Sequence, residues 1–136
     1  MKTFTVQLRA ARGEERIEGV TAFVGEDDSG SFGLLAGHAR FMTELRFGLA
    51  QLRVGDGPWR YLAVPRALLY FVDDVLTLDA RRFVLDDDYE RISRTLEEEL
   101  FAEEEQLRGM RASLQAMEEQ LLKRLWQVGR EMRIEP

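Results

Sequence analysis

One histidine, His38, and no cysteine set the limits of the side-chain chemistry this 136-residue chain can offer. Most zinc sites are excluded, as is every Cys-His or Ser-His-Asp nucleophile not built on His38. His38 follows Gly37 in a glycine-rich stretch, where a turn or interface histidine is a simpler reading than a general base. Gly30-Ser31-Phe32-Gly33 has the outline of a nucleic-acid GXXG clamp, but Glu26-Asp27-Asp28 beside it would repel phosphates. No Gly-Lys-Ser/Thr phosphate loop and no spaced-glycine dinucleotide fingerprint occurs. The 25 carboxylates fall in turns and on helix faces, with no pair set for acid–base work. A small sugar- or nucleotide-modifying enzyme would need a concave polar site, and the sequence offers none. The inventory predicts a protein that is not an enzyme, with no cofactor and no metal.

The elements that would position these residues fall into two parts. Nine of the 11 glycines lie within the first 57 residues, whereas Arg66 to Glu135 holds no proline and only Gly109 and Gly129. Dense punctuation followed by an unbroken stretch predicts strands first and helix second. Lys2–Arg9 alternates, with Phe4, Val6 and Leu8 on one face. Ile17–Val24, Phe32–Leu35, Phe41–Leu45, Leu49–Val54, Trp59–Val64, Ala67–Val72 and Val75–Leu78 follow as short runs. Asp56-Gly57-Pro58 and Asp73-Asp74 supply tight turns between neighbours. Nine or ten strands at this spacing predict an antiparallel β-sandwich or flattened barrel over residues 1–85.

From Asp86 the apolar period becomes helical. Asp86-Asp87-Asp88 suits a helix start, where carboxylates cap free amides and meet the positive end of the dipole. Apolar residues fall at Tyr89, Ile92, Leu96 and Leu100, and resume at Leu107, Met110, Leu114, Met117, Leu121, Leu125, Val128 and Met132. The charged stretch Ala102–Gln106 and then Gly109 interrupt the stripe, giving helices over about 87–104 and 107–133 joined by a tight turn or by a continuous weak spot. The expected fold class is α+β: an N-terminal antiparallel sandwich, then a C-terminal two-helix domain over 86–136, as an antiparallel hairpin or extended.

The net charge of −6 argues against nucleic acid, and all of the excess lies in 86–136, which carries 14 acids and 8 bases. The longest purely apolar run, Ala67–Val72, is far too short to span a bilayer, and the start of the chain has no signal-peptide core. The expected location is cytoplasmic. Each buried apolar side chain contributes about 1.5–3 kcal/mol, against about 0.3 for a helical ion pair. The Leu107–Met132 stripe therefore needs cover, from the first helix, from the sandwich or from another chain.

Residues 30–48 resemble the signature of the F-type ATP synthase epsilon subunit, roughly G-x-[FL]-G-[IL]-L-P-G-H-A-P-[FL]-[LM]-T-x-L-x-x-G. Gly30, Gly33, Leu34, Leu35, Gly37, His38, Ala39, Thr43, Leu45 and Gly48 match it. Val75–Ala80 is similar to that family's last sandwich strand. Ala36 and Arg40 replace the prolines flanking Gly-His-Ala, and Ala63–Arg66 stands where the family has Ser-Gly-Gly. These departures suggest a divergent branch, such as the epsilon subunit of an alternate F-type ATPase, translocating protons or sodium.

The resemblance implies a non-catalytic rotor subunit, peripheral on the cytoplasmic side of the membrane. Its sandwich would bind gamma and rest on the c-ring through Ser29, Gly30, Ser31, Phe32, Gly37, His38, Ala39 and Arg40. Its C-terminal helices would enter the alpha/beta hexamer and brake ATP hydrolysis through Arg108, Arg111, Lys123, Arg124, Arg130 and Arg133. Asp88 and Arg91 keep the D-x-x-R spacing of the family's ATP-binding motif, but Asp87 precedes and Ile92 follows, so no ATP binding is expected. The rival reading is a free-standing β-sandwich adaptor that dimerises through a C-terminal coiled coil.

Overall fold

Nine strands and a helical tail make up the computed structural model, which describes residues 2–134, with side chains through Arg130. The strands are β1 (Phe4–Ala10), β2 (Gly13–Asp27), β3 (Gly30–Leu34), β4 (Phe41–Leu45), β5 (Gly48–Val54), β6 (Trp59–Val64), β7 (Ala67–Val72), β8 (Val75–Ala80) and β9 (Val84–Asp86). They pair in the order β4-β7-β8-β1-β2-β5-β6-β9, with β3 also on β2. The pairings are antiparallel except β1 with β8, which run parallel with Leu8 opposite Leu78.

The long strand β2 serves both layers of the sandwich. Its first half pairs with β1, and its second half pairs with β3 and β5. Register shifts on both sides of Val20 mark the crossover, beside Gly19 at φ +72°. A bulge with a left-handed glycine bends a strand and re-aims it, which lets one strand change layers. Alternate side chains then meet in one core that includes Val6, Leu8, Phe23, Leu52, Leu62 and Phe71, all fully buried. Gly25 is required there, because a Cβ would lie 2.9 Å from Leu45 Cδ2 and 3.0 Å from Phe32 Cζ.

A second, smaller core joins the sandwich to the start of the helix. Ile92 and Leu100 are buried with Ala63, packed by Phe47, Leu49, Tyr61, Val84 and Leu96. Tyr61 meets Tyr89 edge-on at 5.3 Å between ring centres, and Phe47 meets Phe101 at 5.9 Å. The helical residues are α1 (Tyr89–Thr95), a π-helical turn (Leu96–Leu100) and α2 (Phe101–Ile134). Apolar residues four apart drift by about 40° per step on an α-helix. The wider π turn, closed by Phe101 N–H to the Leu96 carbonyl, advances less per residue and turns Leu100 back toward the sheet.

Of the two joins expected, the tight turn is corrected and the continuous one stands: helical backbone runs on through Ala102–Gln106 and through Gly109. Glu, Ala and Gln are good helix formers, and one glycine costs too little to end a long helix. Strand gives way to helix near Asp86, but the compact unit containing the sandwich runs from Met1 to Phe101, and Ala102–Pro136 forms a second unit.

Candidate functional site

The glycine-rich signature resolves into two separately fastened turns, one at each end of β3. The first is the β2–β3 hairpin. β2 sends Phe23, Gly25 and Asp27 inward in turn, so the Asp27 carboxylate enters the structure rather than solvent. It accepts hydrogen bonds from the Ser29 amide at 2.8 Å, from the Ser29 hydroxyl, and from Thr43 Oγ1 at 2.6 Å. The bonds from Ser29 and then Thr43 favour the ionised form and hold the Asp27 carboxyl below the usual carboxylate range. Thr43 lies on β4, so this one carboxylate ties the hairpin to a strand of the other layer. Arg46 adds looser pairs with Glu26 and Asp28, each at 3.7 Å.

The second turn, 35–40, is fastened to the β7–β8 hairpin. Asp73 and Asp74 both take positive φ, 50° and 58°, as a tight two-residue hairpin requires. From there Asp74 Oδ1 accepts the Gly37 amide at 2.7 Å. Gly37 has φ +84°, a conformation that favours glycine, and the His38 amide closes the turn onto the Leu35 carbonyl. The His38 ring stands edge-on to Phe41 and Phe71, at 5.7 and 6.1 Å between centres, with Nδ1 2.8 Å from the Ala39 carbonyl. His38 thus works as an exposed packing residue of the turn. Leu35, Gly37, Ala39 and Arg40 stand exposed around it.

Ser29 and Gly30 therefore belong to one turn and Gly37, His38, Ala39 and Arg40 to another, with Ser31 and Phe32 in the strand between. About 13 Å of extended chain separates the ends of β3. Phe32 also stacks on Phe41 at 5.2 Å, which links the strand to β4. Sequence reading missed both anchors, Asp27 and Asp74, by treating Glu26–Asp28 as charge that repels phosphates and Asp73-Asp74 as a tight turn. The signal was present for Asp27: it continues the inward alternation of β2.

At the start of the helix, Asp88 and Arg91 serve the local fold. Asp88 is the N-cap, its carboxylate accepting the Arg91 amide at 3.1 Å. The Arg91 guanidinium grips both oxygens of Asp86 at 2.6 Å. That bidentate bond, joined by the Asp88 amide, holds the Asp86 carboxyl far below the usual carboxylate range and raises Arg91. Along α2, Arg108 pairs with Glu105 at 3.1 Å, and the Arg130 guanidinium lies 5.0 Å over the Trp126 ring. Arg111, Lys123 and Arg124 are exposed on the same helix; the side chain of Arg133 lies outside the described residues. Among the described residues, no group of three or more Asp, Glu or His is arranged to hold a metal ion, and no helix is long and apolar enough to cross a membrane.

Comparison with known proteins agrees with this architecture. The chain is 30% identical over 95 residues to the ATP synthase epsilon chain 2 of Cereibacter sphaeroides, covering 69% of this chain and 65% of that one. Its fold is similar to a chain of the Euglena gracilis mitochondrial ATP synthase, in a structure containing OSCP, F1 and c-ring (TM-score 0.55, 20% identity, 68% of this chain and 61% of that one). It is also similar to a chain in the central stalk and c-ring structure of the Tetrahymena thermophila mitochondrial ATP synthase (TM-score 0.52, 12% identity, 61% and 66%). The chain thus spans just under two thirds of the length of each of these relatives. The family model for the ATP synthase delta/epsilon chain β-sandwich domain matches residues 3–86, from the start of β1 to the end of β9, and the chain belongs to that family.

Proposed function

We propose that the chain is a non-catalytic rotor subunit of an F-type ATP synthase or ATPase, joining gamma to the c-ring from the cytoplasmic side of the membrane. The observation that carries this reading is the family match over the whole sandwich, residues 3–86. Two braced turns with exposed rims support it, because a surface that transmits torque must keep its shape under load. Asp27 braces one from within and Asp74 the other from the adjoining hairpin, leaving Ser29, Ser31, Gly37, His38, Ala39 and Arg40 open to a partner such as the polar loops of a c-ring. Co-expression with gamma and the ring subunit tests it. The tagged chain should recover both, and recovery of neither overturns the reading.

The exposed basic residues of α2, including Arg108, Arg111, Lys123, Arg124 and Arg130, suit acidic segments of an alpha/beta hexamer, where partly desolvated ion pairs would resist rotation. Cutting after Phe101 keeps Ile92 and Leu100 in their small core and removes α2 alone. This truncation should raise ATP hydrolysis by the assembled complex; unchanged hydrolysis removes the braking role. ATP itself is not a ligand in this reading. Asp88 is engaged as a cap and Arg91 by Asp86, so the two residues that keep the motif spacing already have partners. Calorimetric titration of the isolated chain with ATP should release no binding heat, and a saturable signal would overturn that conclusion.

A further inference from the structure

We infer that the free chain pairs with a second copy of itself through α2, antiparallel and centred on Leu121. The apolar residues of α2 stand half to two-thirds exposed, Leu114 at 63%, Met117 at 66%, Leu121 at 58% and Leu125 at 59%. Their spacing is a mirror. Counting from Leu121, Met117 and Leu125 lie four residues away, Leu114 and Val128 seven, and by sequence Met110 and Met132 eleven. Steps of 4, 7 and 11 residues return to within about 40° of one helix face, so these positions form one seam. The seam alternates steps of three and four, except for two successive fours that meet at Leu121. That irregularity fixes the register of an antiparallel pair, since among antiparallel offsets only the one centred on Leu121 brings Met110–Met132 onto itself.

The charges flanking the seam carry the same mirror with opposite sign. Glu118 precedes Leu121 by three residues and Arg124 follows it by three; Arg111 precedes by ten and Glu131 follows by ten. Antiparallel copies place Glu118 of one level with Arg124 of the other, and Arg111 level with Glu131. A parallel pair would set each charge beside its own like. Such flanking charges choose orientation, while the apolar seam supplies the attraction. A second copy therefore covers the seam and pairs its flanks, while Leu122 and Trp126 lie off it. This pairing concerns the isolated chain and does not rest on the rotor reading.

Sedimentation equilibrium of the full chain, from micromolar to submillimolar, should give a dimer. Leu121→Glu should weaken it about tenfold or more, with sandwich spectroscopic signals unchanged. Orientation is read with cysteines, which the natural chain lacks. Under mild oxidation, Met117→Cys mixed with Leu125→Cys should cross-link, since antiparallel pairing sets these positions opposite each other within disulfide reach. Neither variant alone should cross-link. A monomer at every concentration overturns the inference, because α2 is then covered by its own chain or left for another protein. A dimer that ignores Leu121→Glu, or single variants that cross-link with themselves, overturns it equally. Co-purification with gamma is measured separately, so failure here and failure of the rotor reading give different results.

Discussion

The two compact units spend the same kind of residue in opposite ways. In Met1–Phe101, the core leucines, valines and phenylalanines have almost no exposure, Phe23 and Phe71 none at all. In Ala102–Pro136, Leu114, Met117, Leu122, Trp126 and Val128 are each more than half exposed. Apolar content alone does not decide burial; geometry does. A pleated strand offers one face to a second layer within its own unit, whereas a single helix must find another helix or sheet to cover its stripe. The first unit therefore buries its own apolar residues, whereas the described part of the second leaves its stripe exposed.

Core truncations should break this contrast most sharply. Phe71→Ala should cost about 3–5 kcal/mol of unfolding free energy, since it removes a ring packed edge-on against Phe4 at 5.4 Å. In a sample dilute enough to be monomeric, Leu114→Ala, on the exposed face of α2, should change the same unfolding free energy by less than about 0.5 kcal/mol. A large loss from Leu114→Ala would mean that the stripe is already buried against its own chain. Leu100→Ala belongs with the first class despite its helical address. At 1% exposure it should cost about 2–5 kcal/mol. A negligible effect would return the boundary between the units to Asp86.

The Asp27 anchor sharpens the comparison at smaller scale. Thr43→Val removes one hydroxyl donor to the carboxylate and should cost about 1 kcal/mol or somewhat more. The sign of its pH dependence follows from the depressed carboxyl. Ionised Asp27 stabilises the fold above the ordinary carboxylate pKa, about 3.9, and that stability is lost as pH falls through its lower folded value. The difference between wild type and Thr43→Val should therefore be full near neutrality and shrink in strong acid. Parallel denaturation curves at both pH values check it, and a constant gap would assign the cost to packing instead.

These residues also show what a sequence can and cannot disclose. Eight strands were legible because alternation and turn residues are local, and Phe41–Leu45 forms where alternation puts it. β9 was not, since its three residues have no period of their own and pair only because β6 lies alongside. The parallel pairing of β1 with β8 joins residues about 70 apart, a contact with no local signature. The glycine signature was visible as a motif, but its division into two braced turns depends on Thr43 arriving from β4 and Asp74 from the β7–β8 hairpin. The helix showed the reverse failure. Gly109 and the charge cluster before it left a tight turn open as the join, although each is individually compatible with a helix.

That misreading supplies the gentlest test of the contrast. A Cβ at Gly109 would meet no atom within 4 Å, and the residue lies inside helical backbone. Gly109→Ala should therefore stabilise α2 by up to about 1 kcal/mol, through reduced backbone freedom in the unfolded chain. Circular dichroism at the helical band should show a later loss of helix on heating. The near-ultraviolet transition of the sandwich should stay where it is, because that unit is held by its own core. If both transitions rise together, the two units unfold as one and the helix is coupled to the sandwich more tightly than its exposed stripe implies. If neither moves, the glycine already sits in a segment that frays before the rest, and helical order there is supplied only when a partner binds.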